Sequence, residues 1–175
     1  MFVKEFVGEY ARYRALGEKA MAQVSDDALN RVMAPDGNSI AVIVRHLGGN
    51  LVSRFTNFLT EDGEKAWRNR DGEFDDGTFT RANIGDAWIT GWTTLESEIA
   101  KLSDADLDRI VTIRGQELSV HAALARSLAH VAMHVGQIIL LSRMLATAPW
   151  QSLSIPRGQS QEYNQNLTLE KRPAR

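Results

Sequence analysis

Two histidines stand four residues apart in the stretch His130-Val131-Ala132-Met133-His134-Val135-Gly136-Gln137-Ile138. The stretch lies within an apolar run from about Val120 to Leu145 whose Ala, Leu, Ile, Met and Val content favours helix. On a helix, His130 and His134 differ by only ~40° around the axis, and Gln137 falls within ~20° of His130 on the other side. Three polar groups thus share one narrow face. An imidazole pair at this spacing can hold one divalent metal ion, but leaves the remaining coordination positions to be filled from elsewhere. The chain has no cysteine, so those ligands come from histidine, carboxylate or water. Joining His46 to the pair gives three neutral imidazoles around one ion, assembled from facing helices as in other helical bundles. Three protein ligands leave a position for water or substrate, the pattern of a catalytic rather than a structural site. A water bound there is acidified toward pH ~7 and a thiol is held as thiolate, so either becomes a nucleophile.

The same residues admit a plainer reading. His46 lies opposite the apolar face of its helix, where Ser39, His46, Asn50, Ser53 and Asn57 line up, each within ~40° of Ser39, and could form a solvated stripe. His130 and His134 could be structural histidines bonded to carbonyl groups. His121 sits ~180° from His130 around the same helix, so it belongs to the surface or to a cap rather than to the cluster. Asn50 and Gln137 extend the two candidate faces by one turn each, either to orient ligands and substrate or to satisfy backbone at a helix junction. Arg157, between Pro156 and Gly158, is a candidate for anion or substrate contact, or for anchoring the tail by a salt bridge. No Ser-His-Asp arrangement, phosphate-binding glycine loop or dinucleotide fingerprint is present. Trp88 and Trp92, one turn apart, read as core.

Four long helices must position these groups. The first runs from about Phe2 to Val24 on mixed three- and four-residue apolar spacings, followed by a short turn at Ser25–Leu29 and a breaker at Pro35-Asp36-Gly37-Asn38. The second, about Ser39 to Leu59, buries Ile40, Val44, Leu47, Leu51, Phe55 and Phe58. The segment from Glu61 to Thr80 is densely charged and reads as a loop, longer than most connections in compact domains and hence a candidate functional loop. Its Asp62, Glu64, Lys65, Arg68, Arg70, Asp71 and Glu73 either wall the site or, for most of them, face solvent. Thr80 caps a third helix from about Arg81 to Leu102, and Ser103–Leu107 repeats the earlier short turn. Arg109–Arg114 and Glu117–Val120 flank Gly115-Gln116 as a small hairpin, and Ser119 caps the fourth helix. Glycines 48, 49 and 136 cost helix propensity and are explained by close helix approach. The tail, about residues 149–175, reads as non-helical, packed on or extending from the bundle. The expected fold is therefore all-α, one four-helix domain over residues 1–175 with a β-hairpin before the last long helix.

The net charge of −2, with signs interspersed, gives no electrostatic case for nucleic acid or an anionic membrane. The N-terminus lacks an uninterrupted apolar signal region, and Arg126, His130, His134 and Arg143 interrupt the Val120–Leu145 run, making it a poor membrane span. A cytoplasmic protein is the simplest expectation. The last helix is apolar nearly all round, more than one bundle core demands, which leads us to expect a homodimer.

Beyond the histidines, the chain carries Arg45-His46-Leu47 with Gly49-Asn50 and Arg54-Phe55, then Asp62-Gly63-Glu64-Lys65, Trp67-Arg68 and Glu73-Phe74. A last motif is Leu153-Ser154-Ile155-Pro156-Arg157-Gly158-Gln159-Ser160. With these motifs it resembles an uncharacterised bacterial branch of the DinB-like superfamily of metal-binding four-helix proteins. The resemblance spans nearly the whole chain and places His46, His130 and His134 on the three metal-ligand positions. It implies a divalent ion, nickel or zinc, with an open position facing a pocket for a small-molecule substrate. Better understood relatives are thiol-dependent transferases that use a low-molecular-weight thiol, and a maleylpyruvate isomerase; others are described as metal-dependent hydrolases. Superfamily members are similar to homodimers packed helix on helix. The reaction itself depends on pocket residues that a fold does not specify. A non-catalytic protein that binds metal or a small molecule in a stress response is the alternative.

Overall fold

The structure, a computed structural model, describes residues 2–75 and 77–167. Its long helices are α1 (Phe2–Met21), α3 (Ile40–Phe55), α4 (Arg81–Ile99) and α5 (Val120–Leu145), with one-turn α2 (Asp26–Leu29) between the first two. The strands β1 (Ile110–Ile113) and β2 (Gln116–Ser119) form an antiparallel hairpin directly before α5. The chemistry of the caps explains where the helices begin. Ser25, Ser39, Thr80 and Ser119 each turn a side-chain oxygen onto a backbone N–H of the first helical turn.

Helices α3 and α4 pack closely, as do α1 and α5. Between α3 and α4 the contact is backbone on backbone. A Cβ at Gly91 would lie 2.7 Å from the Gly48 Cα, and one at Gly48 would lie 2.4 Å from the Ala87 carbonyl oxygen. Glycine costs about 1 kcal/mol of helix propensity, and the close approach is what that cost permits. Gly49 serves a different purpose: a Cβ there would collide with the Glu73 carboxylate at 2.3 Å. Gly136 departs from the expectation, because a Cβ at this position meets nothing within 4 Å and close approach inside the chain does not explain it.

Tyr10, Trp92, Phe55 and Leu124 centre the core, and the Tyr10 hydroxyl donates to the Leu124 carbonyl at 3.0 Å. Trp88 and Trp92 are core residues, as their spacing suggests. By length and composition α5 could cross a membrane, but Val131, Val135 and Ile138 are fully covered by the bundle, as in the core helix of a helical protein.

The hairpin differs from expectation by one residue. Its turn is Arg114-Gly115, with φ of 56° and 70°, and Ile113 pairs with Gln116. Two successive left-handed residues match the twist of the strands, and glycine at the second position makes that inexpensive. The expected turn, Gly115-Gln116, gives way because Asp62 grips the observed one. Its carboxylate accepts the Arg114 and Gly115 amides, both at 2.8 Å, and that of Glu64. The Glu64 amide, with the two turn amides, holds the Asp62 carboxyl down at about 2 against the opposing effect of burial.

The tail also departs from the non-helical expectation. After Pro156 and the left-handed Gly158 (φ 86°), residues Ser160–Gln165 form a short helix, α6. The two prolines and the glycine act only upstream of it, and Ser160-Gln161-Glu162 is free to turn. Residues 168–175 of the tail lie outside the described residues.

Candidate metal centre

His46 comes from the middle of α3, and His130 and His134 come from one face of α5. Their Nε2 atoms converge. His46 Nε2 lies 3.3 Å from His130 Nε2, and His134 Nε2 lies 3.1 Å from the same atom. Ligand atoms ~2.0–2.1 Å from a tetrahedral ion lie ~3.3–3.4 Å apart, so these separations are close to those of three corners of a metal site. The ligand nitrogens of all three residues fall within 4.8 Å of one another.

Hydrogen bonds on the far side of two rings orient them. His46 Nδ1 is 2.9 Å from a Glu73 carboxylate oxygen, which only accepts, so the proton sits on Nδ1. His134 Nδ1 is 2.8 Å from the Gln137 amide oxygen, with the same consequence. Both rings therefore aim an Nε2 lone pair at His130. His130 Nε2 can donate a proton to one of them only, and its own Nδ1 is buried without a partner. A cation at the centre satisfies all three lone pairs together, and the donor set fits a divalent metal ion. Burial, then the neighbouring His134 and His46, pushes the His130 imidazole down to about 3. Burial also lowers His134, partly opposed by the Gln137 hydrogen bond. Both rings are therefore neutral, as ligands must be, at ordinary pH.

The polar stripe of α3 is not solvated. Ser39, His46, Asn50 and Ser53 are all buried, and only Asn57 at its end is exposed. The charged loop after α3 covers the stripe, with a 3-10 turn at Asp71–Phe74 that brings Glu73 and Phe74 onto His46. Arg45 pins this loop by donating to the Gly72 carbonyl at 2.8 Å and stacking over Phe79. Arg68, with only 2% of its side chain exposed, donates two hydrogen bonds of 2.8 Å to Glu73. Burial tends to raise the Glu73 carboxyl, but His46 and Arg68 outweigh it and hold the group below the usual range. A buried ion pair of this kind gains little net stability once desolvation is counted. Its value here is positional: it fixes the carboxylate that fixes His46.

The expected pocket residues divide. Asn50 lines a cavity of about 200 Å³ beside His46 and His130. Gln137 is exposed and bonded to His134. Arg157 is exposed and does not line the cavity, so it is not brought to the site. His121 is likewise outside the cluster, edge-on to Phe6. Two features escaped sequence reasoning: Glu73 as the partner of His46, and the arginines of the cavity wall. The Glu73-Phe74 motif marked the first, and the placement of Arg126 four residues before His130 marked the second.

A helical bundle of this order, with a hairpin before its last long helix and a three-histidine cluster between α3 and α5, has the fold of solved DinB-like proteins. A solved DinB-like protein of Bacillus cereus ATCC 10987 is similar with a TM-score of 0.63 at 18% identity, over 84% of this chain and 95% of that one. A second, from Bacillus subtilis, gives 0.56 at 15% identity, over 86% and 98%. At these identities the likeness defines the fold. The chain belongs to the family described as "Protein of unknown function (DUF1572)", whose sequence model matches residues 1–159. No curated protein matches the chain.

Replacing Glu73 with Gln removes the charge that orients His46 while keeping its size. Titration with nickel or zinc is expected to show affinity weakened by about 10–100-fold; unchanged affinity would separate Glu73 from the metal centre.

Proposed function

We propose that this protein is a metal-dependent enzyme acting on a small molecule, by S-transfer of a low-molecular-weight thiol or by hydrolysis. One observation carries the reading: three inward-facing imidazole nitrogens whose cluster is open to a cavity on the side of His46 and His130. A divalent ion held there, nickel or zinc, supplies Lewis acidity to a water or thiol that reaches it. The chain's own groups orient two of the ligands through Glu73 and Gln137, while Phe55 and Phe58 give the cavity an apolar wall. Asn50 faces the same space and can donate to a substrate oxygen.

A second reading, a non-catalytic metal- or small-molecule-binding protein of a stress response, has one observation in its favour. Among the described residues, no carboxylate lines the cavity to serve as general base. Turnover separates the two. With thiols plus electrophiles, and with ester and amide substrates, the metal-loaded protein is expected to show activity that falls more than about 100-fold in His134→Ala with the fold retained. Equal activity in that variant, or none in the parent, contradicts the enzymatic reading.

We further propose a cytoplasmic homodimer joined through α5. Met133, Leu140 and Met144 are each more than half exposed, and Gly136, open to space, lies among them. An exposed apolar stripe of this kind fits a second copy of the same helix. Light scattering is expected to give twice the chain mass of 19.5 kDa and to revert to that mass in Met133→Glu with Leu140→Glu. A monomer mass for the parent at micromolar concentration removes the proposal.

A further inference from the structure

Two stripes of side chains lead away from the metal centre. On α3, His46, Asn50 and Arg54 follow at four-residue intervals, and on α5, His134, His130 and Arg126 do the same in reverse order along the chain. Four residues of helix advance ~6 Å, so the arginines stand one to two such steps, ~6–12 Å, beyond the histidines. Arg54 and Arg126 both line the cavity that opens on His46 and His130, as do Arg68, Arg70 and Arg114.

Five guanidinium groups thus surround one small space whose lining, among the described residues, contains no carboxylate. Their counter-charges lie behind the wall and are too few. Arg54 and Arg114 share the single carboxylate of Glu64, at 3.2 and 2.9 Å. Arg68 is committed to Glu73. Arg70 rests on the Phe74 ring and is 3.6 Å from Asp71, which is almost wholly solvated. Arg126 has no hydrogen bond or ion pair among the described residues. Burial lowers the Arg54 guanidinium, and the positive charges of Arg68 and Arg114 lower it further. Like charges so gathered repel one another unless an anion enters.

A second observation points into the same space. Asn50 is 9% exposed and lines the cavity, yet its side-chain amide has no hydrogen-bond partner among the described residues. Beside it, Ser127 Oγ, of another residue lining the cavity, is buried without a hydrogen-bond partner among the described residues, so the space holds polar atoms that a ligand oxygen can satisfy. Phe55, Phe58 and Ile113 supply apolar surface between the polar groups, suited to a short hydrocarbon skeleton.

We propose that this cavity binds a small organic anion, its carboxylate or phosphate group held by Arg126 and Arg54 and its remaining length directed past Asn50 toward His46 and His130. The assignment rests on reading the three histidines as a metal centre, and it names the class of substrate that reaches it. Arginine forks bind planar carboxylates and phosphates bidentately, so the wall is specific for oxyanions rather than for any negative charge.

Isothermal titration of the full chain with succinate, with inorganic phosphate and with neutral succinamide tests the proposal at low ionic strength. Succinate, phosphate or both are expected to bind saturably at one site per chain, and succinamide not to bind. Arg126→Gln, at an exposed and unpaired position, is expected to weaken anion binding at least tenfold while melting temperature and metal content remain those of the parent. Arg126→Lys retains part of the affinity. Binding of succinate alone assigns a carboxylate ligand and of phosphate alone a phosphate ligand. Absence of saturable binding by either anion, binding of succinamide as tight as that of succinate, or equal affinity in Arg126→Gln overturns the proposal. Metal content distinguishes the two claims: failed anion binding with metal retained removes only the anion site, whereas anion binding without metal removes only the metal centre.

Discussion

Three converging imidazole nitrogens, those of His46 and His134 lying 3.3 and 3.1 Å from that of His130, are the constraint on which the rest of this structure depends. Lone pairs at that distance repel unless a proton or a cation stands between them. A proton can join one pair, whereas a divalent ion joins all three. The tautomers are already set for the second case, because Glu73 and Gln137 hold protons on the outer nitrogens of His46 and His134. What looks locally like a crowded contact is a coherent donor set.

Holding that set requires a buried carboxylate, and the carboxylate requires its own support. Glu73 reaches His46 because Gly49 leaves room for it, Arg68 neutralises it, and Arg45 pins the loop that carries it. The loop is in turn tied to the β-hairpin through Asp62 and Glu64, which grip the Arg114-Gly115 turn and the Arg114 guanidinium. The long charged segment is thus a lid of fixed position over the polar face of α3. Within it Glu64 pairs with Arg54 and Arg114, and Glu73 with Arg68, and these arginines together with Arg70 and Arg126 line the cavity.

Much of this was legible in the sequence, for identifiable reasons. Ser25, Ser39, Thr80 and Ser119 mark helix starts because capping is local chemistry, and the His130/His134 pair shows itself because helical spacing is local geometry. The apolar face of α3 was readable as well. The polar face was ambiguous, since a stripe such as His46, Asn50 and Ser53 looks the same whether water or a folded loop covers it. Glu73 lies 27 residues from His46 and meets it only through a 3-10 turn. No periodicity announces such a contact. Arg157 is a different case: its constrained Pro-Arg-Gly turn suggests a purpose, while in the fold it is exposed and does not line the cavity. The hairpin turn was misplaced by one residue because the left-handed pair is selected by Asp62, from more than fifty residues away.

The account stands on the three histidines acting as one metal centre, and elemental analysis tests that most directly. Protein purified without a histidine tag is incubated with nickel or zinc, freed of unbound ion, and compared with the variant carrying His46→Ala, His130→Ala and His134→Ala. The account predicts about one divalent ion per chain in the unmutated protein and none in the variant. No retained ion in the unmutated protein, or the same amount in both, would contradict it.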